Sequence, residues 1–120
     1  MKKTDYNLAV YCGARSGNDP LFTERARELG TLCARNNIGV VYGGGRTGLM
    51  GTVAGATLDA GGVVYGVVTH KLVGLEGVYP GQTTLDIVDT MHQRKIAMIE
   101  KADAFVAMPG GPGTLEEFFE

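Results

Sequence analysis

Twice in this chain an apolar, strand-like run ends directly in clustered glycines, with a helical pattern beginning just beyond. Gly39-Val40-Val41-Tyr42 leads into Gly43-Gly44-Gly45, and Ala104-Phe105-Val106-Ala107-Met108 leads into Pro109-Gly110-Gly111-Pro112-Gly113. A short run that is apolar at nearly every position needs cover on both faces, which is the situation of a strand inside a parallel sheet. Glycine at its end has no Cβ, so the main chain there can turn sharply or come close to another group. Glycine accounts for 19 of the 120 residues, about twice ordinary usage, and it is clustered rather than scattered. Strand, glycine turn and helix in alternation restrict the chain to the α/β class.

The remaining segments extend the same alternation. Leu8-Ala9-Val10-Tyr11 reads as a strand ended by Gly13 and Gly17. Asn18-Asp19-Pro20 opens a helix, with an Asx cap and proline at the first helical position. Phe22, Ala26, Leu29 and Cys33 recur at helical spacing, and Asn36-Asn37 closes the segment. A second helix is predicted from Leu49 to Ala60, where Gly51, Ala54, Gly55 and Ala56 would let it approach the sheet closely, and Gly61-Gly62 stops it. Val63–Val68 is the next strand, residues 69–84 read as a loop, and Leu85–Val88 is a short strand. A third helix spans Met91–Lys101, and a fourth begins at Thr114 or Leu115. The expected fold is a Rossmann-like, doubly wound parallel sheet, in one domain over residues 1–120. The fourth helix shows Leu115, Phe118 and Phe119 and is still running at Glu120, so a longer domain, truncated here at its C-terminus, is expected.

Composition narrows the partners. A net charge of -2 gives no basic excess, so nucleic acid is not expected as a partner. The first apolar run is too short for a signal peptide or a membrane span, so no membrane partner is expected either. Cys12 and Cys33 form no C-x-x-C pair, which suits a reducing cytoplasm. His70 and His92 lack paired ligands, so no metal is expected.

Gly43-x-Gly45-x-x-Gly48 is a dinucleotide fingerprint in the right context, after a strand and opening a helix. The dinucleotide reading also needs a carboxylate at the end of the next strand, and that strand ends Val68-Thr69-His70. No Gly-Lys-Ser/Thr follows either cluster, which excludes a P-loop. Two readings stay open: glycine loops whose amides hold a phosphate, or two tight turns that bind nothing. Arg94 and Lys95 are adjacent cations near a helix N-terminus, where the macrodipole disfavours positive charge. They either meet an anion or are solvated. Thr90 and Gln93 fit a capping box, as do Thr114 and Glu117. Glu117 is therefore either a cap or a carboxylate placed beside a phosphate-bearing sugar, with Glu116 the alternative on a neighbouring face.

Taken together, four motifs resemble the Lonely Guy family of cytokinin riboside 5′-monophosphate phosphoribohydrolases, historically filed as possible lysine decarboxylases. They are Tyr11-Cys12-Gly13, Tyr42-Gly43-Gly44-Gly45-x-x-Gly48-Leu49-Met50-Gly51, Met91-His92-x-Arg94-Lys95 and Pro109-Gly110-Gly111-x-Gly113-Thr114-x-x-Glu117. The resemblance implies hydrolysis of the N-glycosidic bond of a nucleoside 5′-monophosphate, AMP or an N6-modified AMP, without a cofactor, by a homodimer or larger homo-oligomer. It makes Arg94 and Glu117 catalytic. It assigns substrate binding to Lys95, to Gly111, Pro112, Gly113, Thr114, Leu115 and Glu116, and to Glu76, beside the phosphate contacts of Gly43, Gly44 and Gly45. Around Glu76 the loop lacks the usual upstream Met-Pro, and Pro112 stands where tyrosine is frequent; both departures concern base specificity. Oxocarbenium-like cleavage suits a carboxylate that activates water, with an arginine to orient it. A pyridoxal-type lysine has no support, because Lys95 beside Arg94 suits an anion contact. The alternative is a non-catalytic nucleotide or molybdenum-cofactor carrier on the same fold.

Overall fold

The computed structural model describes residues 4–11, 20–45, 48–71, 73 and 84–107. Glu76, the second glycine cluster and the fourth helix with Glu117 lie outside them. Among the described residues, strands β1 (Tyr6–Tyr11), β2 (Ile38–Tyr42), β3 (Val64–Thr69), β4 (Thr84–Val88) and β5 (Ala104–Ala107) form one sheet in the order β4-β3-β2-β1-β5. Every neighbouring pair is parallel. Helices α1 (Pro20–Arg35) and α2 (Gly48–Asp59) alternate with the first three strands, and α3 (Met91–Lys101) joins β4 to β5.

Alternation along the strands sorts side chains between two cores. Val10, Val40, Tyr42 and Val64 pack with Ala26 and Cys33 of α1 and with Leu49, Val53 and Ala54 of α2. Ala9, Tyr11, Val41 and Val67 face the other way and pack on Met98 of α3. Helices cover both faces, as the unbroken apolar runs require. The expected doubly wound, Rossmann-like α/β fold is the one observed.

Local signals explain the element ends. α1 starts at Pro20 and closes on Asn37, whose φ of 56° is the left-handed conformation that asparagine tolerates best after glycine. α2 ends in a Schellman motif: Gly61 N donates to Leu58 O at 3.0 Å and Gly62 N to Thr57 O at 2.8 Å, with Gly61 at φ 81°. β1 begins two residues before its apolar run because Asn7 is tied down. Its Nδ2 donates to Lys101 O at 3.0 Å, and its amide donates to Asp103 Oδ2 at 2.8 Å.

Two expectations need correction. The small residues of α2 serve α1 more than the sheet. A Cβ on Gly30 of α1 would collide with Val53 O and lie 3.0 Å from Ala56 Cβ, so the missing side chain is what lets the two helices touch. Residues 69–84 are not wholly loop, since Thr69 ends β3 and His70 and Lys71 are helical. The glycines that argued for loop begin only at Gly74, leaving the residues before them free to coil.

Candidate active site

Because all five strands run the same way, their carboxyl ends share one edge of the sheet. The chain steps outward from β1 to β4 and then returns through α3 to the other side of β1, so strand order reverses between β1 and β5. Open α/β sheets bind ligands outside the carboxyl ends at such a reversal. Three described pieces meet near this edge: Gly43–Gly45 after β2, the end of β3, and the first turns of α3.

The start of α3 is held by the expected capping box. Thr90 Oγ1 accepts from Gln93 N at 3.1 Å, while Gln93 Oε1 accepts from Thr90 N at 3.1 Å and from Asp89 N at 2.9 Å. Asp89 also lies 3.3 Å from His70 Nε2, both side chains being exposed. Arg94 follows one turn later and points back over the sheet.

Arg94 is only 7% exposed. Its Nε donates to Val67 O at 3.0 Å and its Nη2 donates to Gly43 O at 3.1 Å, so the guanidinium spans the ends of β3 and β2. Nη1 lies 4.0 Å from Met91 Sδ. A buried cation is costly unless its donors are satisfied, and charge-assisted bonds to carbonyls are among the stronger ones available. They also offset the unfavourable position near a helix N-terminus. The reading of Arg94 as a solvated side chain is thereby excluded. Lys95 is half-buried at the next position.

Gly43, Gly44 and Gly45 are all buried. Gly44 has φ 81°, and a Cβ there would overlap Val68 Cγ1. The buried Tyr42 hydroxyl donates to Gly45 O at 3.0 Å. A Cβ on Gly43 would overlap Arg94 Nη2. The first cluster is thus a tight turn that the protein's own packing demands, whatever it binds. Sequence reasoning gave Gly43 and Arg94 separate tasks and missed that they share one seat, along with Val67 and Met91. Nothing in their spacing signals it, because 51 residues separate the pair.

A family model described as "Possible lysine decarboxylase" matches residues 50–120, more than half of the chain and the part that carries Arg94. The chain belongs to this family. Among relatives in it, a cytokinin riboside 5′-monophosphate phosphoribohydrolase of Rhodococcoides fascians is 46% identical over 120 residues, covering 99% of this chain and 61% of its own length. One of Arabidopsis thaliana is 44% identical over 115 residues, covering 94% of this chain and 53% of its own. The chain therefore spans just over half to about three-fifths of these relatives. Solved structures share the fold. The molybdenum cofactor binding protein of Rippkaea orientalis superposes with a TM-score of 0.78 at 23% identity, over 98% of this chain and 69% of that one. The molybdenum cofactor carrier protein of Chlamydomonas reinhardtii gives 0.78 at 22%, over 96% and 67%.

Of the residues that the family resemblance singles out, the structure brings Gly43 and Arg94 into contact and places Gly44, Gly45 and Lys95 in the same region. Glu76 and the segment Gly111, Pro112, Gly113, Thr114, Leu115, Glu116 and Glu117 lie outside the described residues. Among the described residues no cluster of three or more His, Cys, Asp or Glu could hold a metal ion, and no helix is long and apolar enough to cross a membrane.

Proposed function

We propose that this chain carries the nucleotide-binding and catalytic segments of a phosphoribohydrolase. The reaction is hydrolysis of the N-glycosidic bond of a nucleoside 5′-monophosphate, AMP or an N6-modified cytokinin precursor, to the free base and ribose 5-phosphate. The observation that carries this reading is 46% identity, across 99% of the chain, to a relative named for that reaction. The buried, carbonyl-held Arg94 supports it, because a fixed guanidinium is a tool for orienting oxygens rather than for solubility.

Bond cleavage develops positive charge on the ribose, in an oxocarbenium-like state. Glu117 stabilises that charge and activates the attacking water as general base. Arg94 presents a guanidinium whose plane is already set, so a carboxylate or ligand oxygen meets it without further ordering. Glycine-turn amides hold the phosphate, and Lys95, residues 111–116 and Glu76 contribute to nucleotide binding. The active form is a homodimer or larger homo-oligomer, as the resemblance implies, in the reducing cytoplasm that the unpaired pattern of Cys12 and Cys33 suits, and light scattering measures its size. The carrier alternative rests on fold likeness at 22–23% identity, which speaks to fold alone.

The deciding experiment incubates the full-length protein with AMP and measures free adenine and ribose 5-phosphate. Release of both is expected, with AMP binding tighter than adenosine by calorimetry. Tight nucleotide binding without adenine release would favour a carrier, and equal affinity for AMP and adenosine would remove the phosphate contact.

A further inference from the structure

Gly43 and Arg94 compete for one volume. The carbonyl of Gly43 accepts from Arg94 Nη2 at 3.1 Å, and a side chain on Gly43 would overlap that same nitrogen. The virtual Cβ would also lie 3.1 Å from Arg94 Cζ, whereas its next described neighbour, Met50 Sδ, is at an ordinary 3.6 Å. Gly43 is not among the glycines with positive φ, so its backbone conformation is open to alanine. Among the described residues, then, only the Arg94 guanidinium forbids a methyl at position 43.

The neighbouring glycine differs. Gly44 is constrained twice, by φ 81° and by Val68, and neither constraint involves Arg94. The arginine cannot yield by a small adjustment either. Its Nε and Nη2 belong to one rigid plane, so moving Nη2 away from Gly43 also disturbs the bond from Nε to Val67 O.

We infer that Gly43 is a positioning residue for Arg94: its missing side chain is what allows the guanidinium to lie across the ends of β2 and β3. The packing claim stands on the contacts alone, whereas its effect on turnover rests on the phosphoribohydrolase reading. Gly43 is then required for the arginine's seat, in addition to any contact its amide makes with phosphate.

The test is a double-mutant cycle in the full-length protein, read by thermal midpoint and by AMP turnover. Gly43→Ala alone is expected to lower the midpoint and to reduce kcat about a hundredfold, the scale of an ångström-sized misplacement. Arg94→Met keeps the aliphatic stem and vacates the Nη2 position. Adding Gly43→Ala to Arg94→Met is expected to leave the midpoint unchanged, which is strong non-additivity. Gly44→Ala serves as control and should cost the same midpoint in both backgrounds. If Gly43→Ala alone fails to fold, recovery of folded protein in the double variant supports the inference, and continued failure overturns it. It is equally overturned if Gly43→Ala costs the same midpoint with and without the arginine, or if the Gly43→Ala enzyme turns over like wild type. A wild-type protein that releases no adenine would defeat the functional reading only, because the midpoint cycle reports the packing independently.

Discussion

At the scale of single residues, one arginine ties two strand ends together and, in the proposed reaction, also orients oxygens, so removing it loses both. Arg94 joins the ends of β2 and β3 through two carbonyls, with Nε and Nη2 of one rigid plane at the carboxyl edge of the sheet. A lysine has one compact charge and cannot reproduce that planar reach. Arg94→Lys should therefore leave at least one carbonyl unsatisfied. It is expected to cost about 1.5–3 kcal/mol by denaturant unfolding, the range for hydrogen bonds to charged groups, and to depress AMP turnover as well. Glu117 separates more cleanly. Glutamine is a competent capping-box partner, so Glu117→Gln should scarcely change the unfolding midpoint while turnover drops by about a hundredfold or more. Retained turnover would reduce Glu117 to a cap. Cys33 serves packing alone: it is buried against the sheet, and desolvation pushes its thiol pKa up, away from nucleophilic use.

Among the elements, the helix ends position the site. The capping box at Thr90 sets where α3 begins, and Arg94 follows one turn later. Thr90→Ala should cost about 1 kcal/mol of stability and lower turnover by loosening that first turn, with Thr90→Ser restoring both. At the far end of α2, Gly61 occupies the left-handed position of a Schellman motif. Gly61→Ala should cost about 1–2 kcal/mol by denaturant unfolding without altering kcat, because it lies at the opposite end of α2 from the glycine turn. The two variants together distinguish a helix end that serves the site from one that serves only the fold.

For the molecule as a whole, stability is concentrated in the middle of the sheet. β2 is buried along all but its first residue, and β3 is buried at every position but one. Among the described residues the two outermost strands, β4 and β5, have no buried residue, and Phe105 on β5 remains 43% exposed although it stacks on Tyr11. In the 120-residue chain taken by itself, hydrogen exchange among the strands should accordingly be slowest for the amides of Val40, Val41 and Val67 and fastest for those of β4 and β5. Uniform protection across all five strands would contradict this gradient. Slow central strands under a site built from their carboxyl ends give Arg94 two firm carbonyls to hold.

The parallel sheet was legible in the sequence because its signals are local. Apolar runs with glycine at their ends mark β2 and β3, Asn36-Asn37 and Gly61-Gly62 stop the helices, and Thr90 with Gln93 starts α3 where the capping box requires. Each depends on residues within about one helical turn of one another, so spacing alone carries the information. The family motifs likewise singled out Arg94, which the structure holds buried between two main-chain carbonyls. Strand order, however, depends on pairings such as Leu8 with Ala104, which no local pattern encodes. The tertiary structure also decided what Gly43 is for. In the sequence it is one of three glycines awaiting a phosphate; in the fold it lies under a guanidinium from a residue 51 positions away. The physical reason is steric: a volume shared by two side-chain positions exists only once the chain has brought them together.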